Sequence, residues 1–509
     1  MSASPPGIEI GQAVNGQFRT RAGAGKAGNG AALYSGWVGN ANRPAMTDNP
    51  VLAYGSWLAE TPADWPEAAW QAAHRAFIDT IAVAVPGAAE PVTRRVFEAV
   101  RGWGEGSSTA LLQGARLPAP WAALVNGTAA HALDFDDNFD PAKAHASAVL
   151  VPAILALAEQ EGAGGRACLD AYITGLQILG RVGQGVNPAH RNRGWHATAT
   201  VGAIAAAAAC ARLLGLDADK AAFAVSLATS MAAGFMSQFG TMAKPLHAGL
   251  AAKSGILAAS LARAGIDAGL DTLDGPTGMN RLMVGPDYEQ LRDTLAHIEH
   301  GQNLRFETDN VGAPLLILSS GLKQKRFPNC GSAHRAMDGL AALREAHGFA
   351  AAEVEAVHVR APVSHFNNLM YADPADALQA KFSLEYALAS LLVRGACTLA
   401  DFTEEAAADR GVRALYPRIH RHPVDKAEGE FATEVEILLK DGRRFDTAIP
   451  WPAGSLAMPF TAAQLWVKFE GCAALLPPAR ARALRAALEA LPALAKIAPL
   501  MAPLYGPRP

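Results

Sequence analysis

Apolar positions recur at helical spacing through most of the first part of the chain. In the run EAAWQAAHRAFIDTIAVAV, Trp70, His74, Phe77, Ile81 and Val85 fall on one face, and Pro86-Gly87 ends the run. The same pattern, punctuated by Gly and Pro, predicts helices over 119–133, 146–160, 166–185, 197–215, 217–235, 245–264 and 286–296. Strand-like alternation is absent here, so this part reads as all-helical. After about residue 310 the period changes. Val354–Arg360 (VEAVHVR) and Thr433–Leu439 (TEVEILL) alternate and are rich in β-branched residues. Lys440-Asp441-Gly442 makes a turn from which Arg444–Ile449 returns as a hairpin partner. Helices over 333–347 and 380–395 accompany these strands. Helical sequence resumes near Thr461 and continues through residue 492.

The expected fold is therefore mainly α, with a large all-helical domain formed by both chain ends (46–310 and 456–509) and an inserted smaller α+β domain (311–455). Residues 1–45 are rich in Gly, Ala, Ser, Asn and Pro and have little periodic apolar signal, so they read as a disordered N-terminal extension. Met46 immediately precedes the first foldable sequence and reads as an alternative start.

Composition narrows the function. At 509 residues the chain exceeds one core of ordinary size. The formal net charge is −3 with no long basic block, which excludes an electrostatic footprint for nucleic acid. The apolar runs Ala146–Ala158 and Val201–Ala211 are short and Ala-rich, so they read as buried core helices and not as membrane spans. Cys168, Cys210, Cys330, Cys397 and Cys472 are scattered and never form a CxxC pair, which argues against a disulfide framework or a cysteine zinc site. Free thiols suit the cytoplasm, and the N-terminus lacks the apolar stretch of a secretory signal.

Charge is scarce, so polar clusters in apolar surroundings need a reason. The first runs from Asn126 to Ser147, NGTAAHALDFDDNFDPAKAHAS, and holds His131, Asp134, Asp136, Asp137, Asp140 and His145. A buried carboxylate is costly unless it is paired, hydrogen-bonded or used for chemistry. The second is Arg193-Gly194-Trp195-His196. The third is Thr241 to His247, with Lys244 before Pro245. The fourth is Lys325 to His334, KRFPNCGSAH. The second and third lead into Ala-rich helices, whose free N–H groups and positive dipole ends favour anions. Asp134, His145, His196 and Lys244 are the catalytic candidates; Asn138, His247, Cys330 and His334 are candidates for substrate binding. Blander readings make His131 a satisfied core histidine, Asp136, Asp137 and Asp140 a solvated loop with an N-cap, Lys253 a surface residue and Cys330 a small packed one. The loop also mimics a calcium site over Asp134, Asp136, Asn138 and Asp140, but it has Phe139 where Gly is required and His145 where Glu is required.

At these clusters the sequence resembles the MmgE/PrpD family, which includes 2-methylcitrate dehydratase, cis-aconitate decarboxylase and iminodisuccinate epimerase. The matching pieces are NGTAAHALDFDD (126–137), His145-Ala146-Ser147, GWHATATVGAIAAAA (194–208), KPLHAGLAA (244–252), KRFPNC (325–330), AKFSLEYALA (380–389) and GSLAMPFTAAQLWVKF (454–469), in the family's order. The resemblance implies an all-helical domain from both chain ends, an inserted α+β domain, a cleft between them, a homodimer and, in the decarboxylase and epimerase branches, no metal requirement; no cofactor is expected. It places Asp134, His145, His196 and Lys244 on the pocket wall. Asn138 and Cys330 depart from the decarboxylase pattern, which has Thr and His there, and Cys330 also departs from the dehydratase pattern, which has Glu; these departures count against cis-aconitate decarboxylation and leave the substrate open, with a 2-methylcitrate dehydratase-like activity as the expectation.

The expected function is a cofactor-independent lyase or isomerase acting on a small di- or tricarboxylate. His145, oriented by Asp134, would move the proton, and Lys244 and His196 would hold carboxylates. The alternatives are a metal-dependent hydratase or hydrolase using His131, Asp134 and His145, and a non-catalytic carboxylate-binding protein.

Overall fold

The computed structural model describes residues 48–294, 300–427 and 429–506. The expectations for residues 1–45 and for Met46 lie outside the described residues. The fold is mainly α and has two hydrophobic cores.

The larger core is built by helices packed at short range. Helix Ala197–Leu213 buries an almost unbroken alanine face between helices Gly165–Val186 and Ala243–Arg263. Alanine costs no side-chain entropy and leaves no bulk between helix axes, so backbones approach closely. The closest approach joins helix Ala119–His131 to helix Ala243–Arg263. A Cβ on Gly127 would sit 2.8 Å from Gly249 Cα, and one on Gly249 would sit 2.1 Å from the Leu124 carbonyl oxygen. This contact sets the spacing of the two helices that deliver the acidic loop and Lys244.

The chain end returns to this core. Helix Ala462–Ala473 starts at a Thr461–Gln464 capping box and packs on helix Glu67–Gly87. There the Lys468 ammonium pairs with buried Asp79 at 2.7 Å. No described helix is long and apolar enough to cross a membrane.

The smaller core lies under a four-stranded sheet. Its strands are β3 (Val354–Pro362), β4 (Ile419–Val424), β5 (Thr433–Leu439) and β6 (Arg444–Ile449), in the order β4-β3-β5-β6. β3 and β4 are parallel and the other pairs antiparallel. Val354, Val359, Val435, Ile437 and Leu439 face helices His334–His347 and Leu384–Arg394. The opposite face is polar and open.

Three details differ from expectation. A short antiparallel hairpin, β1 (Ser108–Ala110) with β2 (Ala115–Leu117), lies in the part read as all-helical. Three residues per strand are too few for alternation to register. The helix expected over 217–235 ends at Thr229. Beyond it Gly234, at φ +155°, lets the chain bridge Trp195 to Phe235 and accept the His196 N–H on its carbonyl at 3.0 Å. The helix carrying Lys244 begins at Ala243, so Pro245 is its third residue. Its missing N–H falls among the first four, which have no intrahelical acceptor.

Gly249→Ala should cost about 1–3 kcal/mol of stability by overpacking, and should lower activity by moving Lys244 relative to the acidic loop. Denaturant unfolding and turnover measured on the same preparation check this; unchanged values for both would mean the helices separate at no cost.

Candidate active site

The acidic cluster follows helix Ala119–His131 directly, and its backbone is held by lysines from three distant segments. Lys381 Nζ donates to the Ala132 carbonyl at 3.2 Å, Lys325 Nζ to Asp134 O at 2.7 Å, and Lys468 Nζ to Phe135 O at 2.9 Å. A helix C-terminus presents carbonyls without intrahelical partners and a negative dipole end, which cations satisfy. Asp134 sits in this turn at φ +52°.

Its carboxylate lies between two ammonium groups. Lys244 Nζ reaches Oδ1 at 2.6 Å and Lys325 Nζ stands 3.1 Å from Oδ2. Burial alone would raise the Asp134 carboxyl, but Lys244 and Lys325 outweigh it and hold the group well below the usual carboxylate range. The Lys244 ammonium also lies over the rings of Phe239 and Phe382, at 5.4 and 5.3 Å.

The histidines interlock with these charges. Lys244 Nζ lies 3.0 Å from His131 Nε2. An ammonium can only donate, so Nε2 is the acceptor and His131 Nδ1–H donates to Asp136, whose oxygens lie at 2.9 and 3.0 Å. Burial lowers His131 to about 3, which keeps the ring neutral as this bonding requires. For Asp136, burial pushes upward, and His131 and His145 outweigh it to hold the carboxyl well below its ordinary value. His145 Nδ1 lies 3.1 Å from Asp136 Oδ2, whereas its Nε2 lies 3.7 Å from Asp134 Oδ1. Asp136, and not Asp134, is thus the nearer carboxylate to His145. With Nδ1 turned to a carboxylate, Nε2 carries the free lone pair. Burial, reinforced by Lys325 and Lys244, lowers the His145 imidazole, against the opposing pull of Asp136.

His196 stands at the N-cap of helix Ala197–Leu213 but makes no side-chain capping bond. Its Nδ1 faces His247 Nδ1 at 2.9 Å. Burial, then the Lys244 charge, holds His196 well below its usual value. His247 stands behind His196 and is not among the residues lining the cavity, contrary to its expected place on the substrate surface. One turn of helix separates it from Lys244 and turns it toward the bound ring.

Asp134, His145, His196, Lys244 and Lys325 open onto one cavity of about 330 Å³, lined also by Asn138, Cys330 and His334, with His131 and Asp136 behind them. Seven lysines and arginines line it against two aspartates, a field that attracts polyanions. Burial raises the Cys330 thiol, and Asp134 adds to this, so it is not poised as a thiolate nucleophile. His334 bonds Asn329 Oδ1 at 3.0 Å, and burial lowers it to about 3.

The blander readings of the acids are corrected. Asp136 and Asp137 are almost fully buried. Asp137 accepts from the N–H and hydroxyl of Ser147 and starts helix Ser147–Glu161; burial pushes it up to about 7. Asp140 pairs with Lys323 at 2.6 Å. Lys325, Asp136 and His131 belong to the site, although the catalytic and binding candidates read from sequence do not include them. The available signal was a charged residue inside an apolar motif, as in KRFPNC and AKFSLEYALA.

His131, Asp134, Asp136 and His145 offer ligand atoms within 4.8 Å of one another, the set the metal alternative needs. The lone pairs are already engaged, however: Asp134 holds two ammonium groups and His131 Nε2 accepts from one of them. A metal ion would meet those two positive charges at contact distance. The arrangement suits an incoming anion.

The fold and site together define a helical protein with a cationic pocket and an imidazole beside it. The chain matches the MmgE/PrpD N-terminal domain over residues 55–291 and the MmgE/PrpD C-terminal domain over 327–492, and it belongs to that family. Relatives include human cis-aconitate decarboxylase, 29% identical over 341 residues, covering 65% of this chain and 67% of that protein. The mouse cis-aconitate decarboxylase is 30% identical over 345 residues, with the same coverage. A cis-aconitate decarboxylase-like protein of Aspergillus oryzae, oryM, is 25% identical over 423 residues, 78% of this chain and 85% of that protein.

Buried neutral histidines make stability pH-dependent. His190, outside the cavity lining, bonds Thr200 Oγ1 at 2.9 Å, and burial lowers it from 6.5 to about 3. Its folded pKa is depressed, so its contribution is full above the unfolded value and is lost as pH falls toward the folded one. The stability gap between wild type and His190→Asn should therefore narrow as pH drops from about 6.5 to about 4. Thermal unfolding across that range checks it; a constant gap would mean His190 protonates freely in the folded protein.

Proposed function

We propose that this protein is a cofactor-independent lyase that acts on a small tricarboxylate by moving a proton at a carbon next to a carboxylate. The observation that carries this reading is the meeting, in one buried cavity, of two ammonium groups and an imidazole with a free Nε2 lone pair. The names of the relatives support the lyase class.

Lys244 and Lys325 offer charge-assisted bonds to a substrate carboxylate, with His196 as a neutral donor beside them. When negative charge builds on that carboxylate, as in an enolate-like state, the same ammonium groups stabilise it without reorganising. His145 Nε2 is the proton-transfer group, and Asp136 fixes its ring. In the free protein the ring is neutral and suited to proton removal, the first step of dehydration. A bound polyanion near the ring favours its charged form, which prepares it to donate. In decarboxylation the C–C bond to one carboxylate breaks, carbon dioxide leaves, and the electron pair left on carbon takes the proton from His145. The names of the relatives favour decarboxylation of an unsaturated tricarboxylate; the departures from that pattern at Asn138 and Cys330, both on the cavity wall, keep dehydration of a hydroxy-tricarboxylate of the 2-methylcitrate kind as the second reading.

Purified protein offered cis-aconitate, citrate, 2-methylcitrate and iminodisuccinate in deuterated water should turn over one of them, with deuterium entering product, as read by NMR. Chelator treatment should leave the rate unchanged. Binding without turnover or exchange on any of them would favour the non-catalytic reading. Activity lost with a stoichiometric metal would favour the metal one.

Lys244→Ala should cost about 1.5–3 kcal/mol in kcat/KM, the value of a charge-assisted contact. His145→Gln should cost about 10²–10⁴ in kcat, as expected for loss of a general acid–base group. Steady-state kinetics on the substrate identified above checks both. Wild-type kinetics in either variant would remove that residue from the proposed reaction.

A further inference from the structure

The outer face of the four-stranded sheet carries chemistry that the cavity does not use. Residues directly opposite one another form a row across all four strands: His420 on β4 faces His358 on β3, His358 faces Glu436 on β5, and Glu436 faces Asp446 on β6. All four lie on the open face. Two carboxylates directly opposite each other destabilise a sheet unless positive charge lies between or beside them. Arg444 stands 3.8 Å from Glu436, and no ion pair reaches Asp446 among the described residues. His422, one step along β4, leans back toward the row, and its Nε2 lies 3.0 Å from His358 Nδ1. The His420 ring stacks on His358, with centroids 4.9 Å apart. His358, His422, Glu434, Glu436 and Asp446 line one shallow depression.

The nitrogen separation has a chemical meaning. Imidazole binds first-row metals at about 2.0–2.1 Å, so two ligands at a right angle around one ion are about 2.9–3.0 Å apart. His358 and His422 already hold that spacing on a rigid strand pair. A tetragonal set of imidazole and carboxylate donors suits copper(II) or nickel(II), and copper(II) binds such donors most tightly among the divalent first-row ions.

We propose that this face is a binding site for a divalent transition-metal ion, chelated by His358 Nδ1 and His422 Nε2, with Glu436, the residue directly opposite His358, swinging in as the carboxylate ligand when the ion binds. The guanidinium groups beside it are already tied: Arg360 pairs with Glu434 at 2.5 Å, and Arg444 stands by Glu436. Ligation by Glu436 releases Arg444 toward Asp446, two residues along the same strand, β6. The ion on this face is separate from the proposed reaction, which uses none of these residues.

The test is dialysis of the full chain against copper(II), followed by metal analysis and electron paramagnetic resonance. Wild type should retain copper with nitrogen hyperfine structure from two imidazoles. His358→Ala and His422→Ala should each weaken binding by roughly tenfold or more and lose one nitrogen, and Glu436→Gln should keep both nitrogens with weaker binding. All three changes lie on the open face and should leave turnover of any tricarboxylate unchanged. His145→Ala separates this site from the cavity cluster. Copper retained in that variant and lost in His358→Ala supports the proposal. Copper lost in His145→Ala and kept in His358→Ala would put the ion in the cavity and overturn it. No retained copper in wild type would also overturn it, leaving His358 and His422 as a hydrogen-bonded pair.

Discussion

The site depends on one constraint: a buried turn whose carbonyls have no water must find donors elsewhere. Three of the carbonyls just past helix Ala119–His131 find them in Lys381, Lys325 and Lys468. These lysines come from the smaller core, the junction before it and the returning chain end. An unsatisfied buried carbonyl costs about 1–3 kcal/mol, so the three contacts tie the acidic turn to every major segment of the fold. The chain end is thereby more than a structural closure. Lys468 links Asp79 of the core helix to Phe135 of the turn.

Within that frame, neighbouring aspartates differ by partner and not by burial. Asp134, Asp136 and Asp137 are all buried. Ammonium groups hold Asp134 low, imidazoles hold Asp136 low, and Asp137, which has only hydroxyl and amide donors from Ser147, is pushed up to about 7. Two ammonium groups, both at Asp134, balance two carboxylates across the cluster, and Asp136 is held by imidazoles. Such a cluster is stable without a guest, yet an arriving carboxylate finds donors already aimed. Preorganised donors need little rearrangement when charge develops, which is what the proposed reaction asks of this cluster.

Much of this was legible along the chain. Helical periodicity and the later switch to alternation gave the mainly α fold with its small sheet, because those periods are local consequences of burying one face. The acidic run and Lys244 stood out because charge inside apolar sequence is expensive. Other features were not legible. The hairpin at Ser108–Leu117 is too short to carry a period. His131 read as a core histidine, and it is buried and satisfied, yet its two partners are Asp136 and Lys244.

By itself, then, the amino-acid order determined which segments are helices and strands, and which polar residues are too costly to bury idly. Only the tertiary structure decided which of those residues meet. It brought Lys325 to Asp134, gave His145 to Asp136, and turned His247 away from the cavity onto His196. The physical reason is that propensity and periodicity act over a few residues, while hydrogen bonds and ion pairs act over a few ångströms between segments hundreds of residues apart. Which donor reaches which acceptor is set by helix packing, here by the glycine contact between helices Ala119–His131 and Ala243–Arg263.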